Sequence, residues 1–126
     1  MSPHHFARRR VHLMGIGGAG VSGLVPLLRR AGAEVDGCDL AENETVRRLR
    51  DDGVGIHLGH DPAHVADADL VIHTAAVPAD HAELRAARER GAGVMTRAAC
   101  LAALMQDHAA IAVAGSHGKT STSWMI

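Results

Sequence analysis

Short apolar runs alternate along the chain with stretches whose apolar residues recur at helical spacing. Val11 to Met14 is the first run, and Leu24, Val25, Leu27, Leu28 and Ala31 follow at roughly the helical period. The pattern predicts a strand over 11–14 and a helix from about Gly18 to Arg30, closed by Gly32. Pro26 conflicts with that helix. It removes the N–H that would bond Ser22 and crowds the Ser22 carbonyl, at a cost of about 3 kcal/mol, so a kink over Ser22 to Val25 is expected. Ala33 to Cys38 predicts a second strand, ending at Asp39. Asn43 suits the cap of a helix that carries Val46 and Leu49 and stops at Gly53.

Val54 to Leu58 reads as a third strand and Asp69 to His73 as a fourth. Leu70-Val71-Ile72 is a continuous apolar run of the kind buried on both faces of a parallel sheet. Asp80, with Glu83 three residues on, has capping-box spacing. The helix it opens turns Leu84 and Ala87 inward and ends at Gly91. Val94-Met95 is a short fifth strand. Thr96 caps a helix with Ala98, Leu101, Leu104 and Met105 on one side, and Ile111 to Ala114 is a further buried-type strand. Strand and helix alternate throughout. The expected class is therefore α/β, a Rossmann-like, mostly parallel sheet with helices on both faces.

Composition narrows the function classes. A chain of 126 residues with 47% hydrophobic content and a formal net charge of -1 reads as one globular domain, with no bias toward nucleic acid or anionic membrane. Phe6 and Trp124 are the only aromatic residues besides histidine, so a base-stacking platform is lacking. No apolar run is long enough to span a bilayer. Met1 to Arg10 lacks the apolar region of a signal peptide and is expected to be a disordered tail on a cytoplasmic protein. Cys38 and Cys100 are expected to be reduced and partly buried rather than bridged.

Two glycine motifs carry the candidate chemistry. Gly15, Gly17 and Gly20 have the G-x-G-x-x-G spacing between a strand and a helix. The first glycine permits the turn, the second lets backbone approach an anion, and the third lets the helix pack closely. The amides from Gly15 to Gly20, Gly18 and Ala19 included, then face a phosphate at a helix start. Asp39 lies about 20 residues on, where such folds hold a ribose hydroxyl, but a surface carboxylate would fit there equally.

The second motif is Gly115-Ser116-His117-Gly118-Lys119-Thr120-Ser121, directly after the Ile111 to Ala114 strand. Its glycines allow amides to converge on phosphates, Lys119 supplies a charge to the β/γ-phosphates, and the Thr120 hydroxyl can coordinate Mg²⁺. It is a shorter form of the usual loop, because Val113 stands five residues before Gly118. Two phosphate sites in one chain suit an ATP-using enzyme with a phosphorylated substrate. His57, His60 and His64 have helical spacing for a metal, but Gly59 and Pro62 would break that helix, and no metal site is expected from them.

At four stretches the sequence resembles the Mur ligases: Gly15-Ile16-Gly17-Gly18-Ala19-Gly20-Val21-Ser22-Gly23, Cys38-Asp39-Leu40, Leu58-Gly59-His60, and Ala112 through Thr120. His117 inside the phosphate loop is similar to the alanine-adding branch of that family. The resemblance implies a three-domain, ATP- and Mg²⁺-dependent ligase of peptidoglycan precursor synthesis. ATP phosphorylates the carboxylate of UDP-N-acetylmuramate, and the amine of L-alanine attacks the acyl phosphate. It implies a UDP-sugar-binding domain over 11–107 and the start of an ATPase domain over 108–126, truncated just past its loop. The chain alone is then expected to bind the UDP-sugar without ligating.

Carried over by position, Gly15, Gly17, Gly18, Ala19 and Gly20 would face the UDP diphosphate. Asp39, His60, Thr74 and Ala75 would line the uridine and sugar. Gly115, Ser116, His117, Gly118, Lys119, Thr120 and Ser121 would hold ATP, with Lys119 and Thr120 catalytic and Thr120 on the metal. The sequence departs from the family pattern at Val21, usually Met, at His81-Ala82, often Asn-Pro, and at Ala99, often Glu. Two other readings stand beside this one: an NAD-binding Rossmann domain, against which the second motif argues, and a non-catalytic UDP-sugar-binding module.

Overall fold

The computed structural model describes residues 6–105. The expected Ile111 to Ala114 strand and the loop from Gly115 to Ser121, with Lys119 and Thr120, lie outside the described residues. Five strands form one sheet: β1 (Arg10–Met14), β2 (Glu34–Asp39), β3 (Gly55–Leu58), β4 (Leu70–His73) and β5 (Gly93–Thr96). Their order is β3-β2-β1-β4-β5, and every neighbouring pair is parallel. This is the Rossmann-like arrangement that the apolar runs predict. The helices are α1 (Ala19–Ser22), α2 (Leu24–Arg30), α3 (Glu44–Asp51) and α4 (Ala82–Glu89). A fifth, α5, includes residues 97–105. Among the described residues no helix is long and apolar enough to cross a membrane.

The sheet separates two apolar layers, and β1 shows how. Val11 and Leu13 point to one side, where they meet Val21, Leu24 and Leu28 of α1 and α2 and Cys100, Ala103 and Leu104 of α5. Met14 points to the other side, with Cys38, Val65, Leu84 and Ala87. The alternation follows from the period of two along a strand. Gly37 is required on the first side, since a Cβ there would stand 2.6 Å from the Leu13 carbonyl oxygen and 2.7 Å from Ile16 Cδ1.

Several expectations are corrected. The helix from Gly18 to Arg30 is two helices that break at Gly23, inside the predicted window. Pro26 is consequently the third residue of α2, where its missing N–H removes no intrahelical bond. The helix over 82–89 is capped by His81 and not by Asp80, because His81 Nδ1 accepts from Glu83 N at 3.1 Å. The Glu83 side chain turns inward and is fully buried. Ala98 is exposed, and Cys100 takes the inner position on α5. Residues 6–10, expected to belong to a tail, are part of the fold: Phe6 is fully buried in the core, and Arg8 N donates to Gly32 O at 2.9 Å. Two other caps match their expectation. Asn43 Oδ1 accepts from Val46 N at 2.8 Å, and Thr96 Oγ1 accepts from Ala99 N at 3.0 Å. Cys38 and Cys100 are both free and buried.

Candidate functional site at the carboxyl edge of the sheet

Because all five strands are parallel, their carboxyl ends lie along one edge. The order reverses direction beside β1, with β2 on one side and β4 on the other. Open sheets of this kind form a crevice where such a reversal occurs. The turn after β1 begins there. Gly15, at φ +71°, makes the left-handed turn out of the strand. Gly15 N and Ile16 N both donate to Cys38 O, at 2.8 and 3.0 Å, so the turn is tied to the end of β2.

Within the turn, Gly17 is buried and Gly18, Ala19 and Gly20 are exposed. Gly17 N donates to Asp39 Oδ2 at 2.7 Å. Asp39 Oδ1 accepts from Leu40 N at 2.7 Å. Asp39 thus holds the turn, and the Gly17 amide is already used. Gly18 N donates back to Gly15 O at 3.0 Å. The Ala19 and Gly20 amides donate to no protein group among the described residues, as expected of the first residues of a helix. Gly20 packs where a Cβ would stand 3.2 Å from Arg97 Cδ, so its small size serves the α1–α5 contact.

The remaining candidates lie along the same edge. His60 follows β3 by two residues, with its side chain 30% exposed. Thr74 and Ala75 follow β4, where Thr74 O accepts from Val77 N at 3.1 Å in a turn. Ala75 is exposed. Leu40, 73% exposed beside Asp39, and Leu58, 49% exposed at the end of β3, add apolar surface. Sequence reasoning passed over both. The signal was present, since each is a lone apolar residue at a strand end.

It also gave His12 no role and Glu83 only that of a helix cap. Both are fully buried. His12 faces the α4 side of β1, opposite Asp36 in register, and its Nδ1 lies 3.1 Å from Asp36 Oδ1. Cys38 Sγ lies 3.5 Å from Glu83 Oε1, and Asp61 N donates to Glu83 Oε2 at 2.8 Å. Burial, reinforced by the neighbouring Glu83 carboxylate, pushes the Cys38 thiol up to about 12. His57 and His64 stack with ring centroids 4.4 Å apart, instead of sharing a helix face.

Comparison with known proteins follows from this geometry. The family model for the catalytic domain of the Mur ligase family matches residues 10–109. The chain is 52% identical over 120 residues to the UDP-N-acetylmuramate–L-alanine ligase of Kineococcus radiotolerans, covering 93% of this chain and 26% of that protein. It superposes on the crystal structure of a UDP-N-acetylmuramate–alanine ligase from Thermotoga maritima with a TM-score of 0.73 and 30% identity, covering 79% of this chain and 23% of that one. A related ligase for UDP-N-acetylmuramate and L-alanyl-γ-D-glutamyl-meso-diaminopimelate, from Neisseria meningitides, superposes with a TM-score of 0.63 and 26% identity, covering 72% and 29%. The chain spans about a quarter of the length of the curated relatives it matches.

Proposed function

The chain belongs to the Mur ligase family, and from that premise we propose that it is the UDP-sugar-binding part of a cytoplasmic UDP-N-acetylmuramate–L-alanine ligase. The observation that carries the proposal is the open pair of amides at Ala19 and Gly20, set on an exposed turn where the sheet order reverses. They would donate to the UDP diphosphate, helped by the exposed backbone at Gly18. Gly15 and Gly17 shape the turn. Asp39 spends two of its roughly four acceptor sites on the Gly17 and Leu40 amides, which leaves room for a ribose hydroxyl. Exposed Leu40 offers an apolar face to the uracil ring. His60, Thr74 and Ala75 would line the sugar side.

In the longer protein, ATP and Mg²⁺ would sit at Gly115 to Ser121. Lys119 would bind the β/γ-phosphates and Thr120 the metal. The acyl phosphate and the attack by L-alanine belong to that protein. Held reactants and charge stabilisation supply most of the rate in such phosphoryl chemistry.

The test is a titration of the isotopically labelled chain with UDP-N-acetylmuramate, read at backbone amides. Ala19 and Gly20 should shift together with Leu40. Gly18→Val should remove the response, since its side chain would project from the exposed turn into the anion's place. Shifts confined to other regions would reject the proposal.

A further inference from the structure

On the α4 face of the sheet, one cluster remains outside the substrate reading. His12, Cys38 and Glu83 are each fully buried, come from β1, β2 and α4, and present ligand atoms all within 4.8 Å of one another. We propose that they form a binding site for a divalent transition-metal cation, zinc by its donor set.

The distances suit a tetrahedral shell. Zinc bonds of about 2.0–2.3 Å to nitrogen, oxygen and sulfur imply ligand–ligand edges of about 3.3–3.6 Å. Cys38 Sγ stands 3.5 Å from Glu83 Oε1. His12 Nε2 stands 4.0 Å from Glu83 Oε1. The Cys38–Glu83 edge is already at that length, and His12 would have to approach Glu83 by about 0.4–0.7 Å.

Orientation is the second argument. The Asp36 carboxylate only accepts, so His12 Nδ1 carries the proton and donates to it at 3.1 Å. In the neutral ring the lone pair is then on Nε2, and that buried atom has no hydrogen-bond partner among the described residues. A carboxylate behind a histidine, fixing its tautomer, is the usual support of a metal-bound imidazole. An unmatched buried acceptor is otherwise costly. Glu83 is similarly prepared. Oε2 takes the Asp61 amide at 2.8 Å and lies 3.4 Å from His64 Nδ1, which leaves Oε1 toward Cys38 and His12.

Mixed thiolate, imidazole and carboxylate donors favour zinc over magnesium or calcium. A groove lined by Asp36, His57 and His64 lies beside the cluster, whose His12 touches Asp36. Forming the metal–sulfur bond releases the Cys38 thiol proton to solvent. The cation would join β1, β2 and α4, and through Cys38 O it would steady the glycine turn.

The experiment treats the 126-residue chain with chelator and a phosphine reductant, then titrates Co²⁺ as an optical probe for the zinc site. The expected result is one equivalent bound with a thiolate-to-cobalt charge-transfer band and tetrahedral d–d bands, both removed by Zn²⁺. The band should persist in Cys100→Ala and vanish in Cys38→Ser. His4 and His5 can bind cobalt but cannot give a thiolate band. If Cys38→Ser does not fold, the wild type still decides. Folded wild-type protein that takes up cobalt without a thiolate band, or takes up none, overturns the proposal, as does a band that survives Cys38→Ser.

Discussion

Gly17 and Gly18 are adjacent, yet substitution should separate fold from binding. A Cβ at Gly17 would stand 2.7 Å from Asp39 Oδ2 and 2.8 Å from Val46 Cγ2. Gly17→Ala should therefore destabilise the domain by about 1–3 kcal/mol, as overpacking does, with a lower urea midpoint. A Cβ at Gly18 meets only Gly15 O, at 3.3 Å, and the backbone there is extended. Gly18→Ala should hold stability within about 1 kcal/mol. Equal losses at the two positions would contradict this assignment of roles. Cys100 offers a second residue-scale check. Burial pushes its thiol up to about 11 from 9.0, so the folded state keeps a proton that the unfolded chain gives up. Its contribution to stability is full below pH 9 and is lost as pH rises from 9 toward 11. The slope for one such group is at most about 1.4 kcal/mol per pH unit. The chain has no tyrosine to titrate in that window. Urea midpoints between pH 8 and 10 should fall less steeply for Cys100→Ala than for the wild type, and parallel slopes would contradict the buried-thiol account.

At the scale of elements, the break at Gly23 changes what Pro26 does. Inside one long helix it would cost about 3 kcal/mol, but in the first turn of α2 it is nearly free, and it is exposed. Pro26→Ala should shift stability by less than about 1 kcal/mol, and a gain near 3 would mean the helix is continuous. The caps should differ likewise. Asn43→Ala should cost about 1 kcal/mol through its lost bond to Val46 N, whereas Asp80→Ala should be near neutral. These contrasts mark what local sequence conveys. Asn43 and Thr96 were legible because a cap bonds an amide two or three residues away. The capping-box reading of Glu83 failed because that side chain is held by Cys38 and the Asp61 amide, 45 and 22 residues distant in sequence. His12 was hidden for the same reason. A histidine inside an apolar strand has a meaning only once β2 and α4 stand beside it.

For the whole molecule, the parallel order β3-β2-β1-β4-β5 gathers the turn after β1, Asp39, His60, Thr74 and Ala75 along one edge. Strand and helix alternation made that class legible, and the glycine spacing located the anion turn. The use of the Gly17 amide by Asp39 was not legible, since it depends on the approach of β2. The chain alone, mixed with ATP, Mg²⁺, UDP-N-acetylmuramate and L-alanine, should release phosphate only at background. L-alanine-dependent release that disappears in Lys119→Ala would contradict the division of labour proposed for the longer protein. The most direct measurement is calorimetry of the chain with UDP-N-acetylmuramate and, separately, with NAD. The account predicts one-to-one binding of the UDP-sugar that Gly18→Val abolishes at unchanged circular dichroism, and no heat from NAD. Saturable NAD binding with none for the UDP-sugar would contradict it.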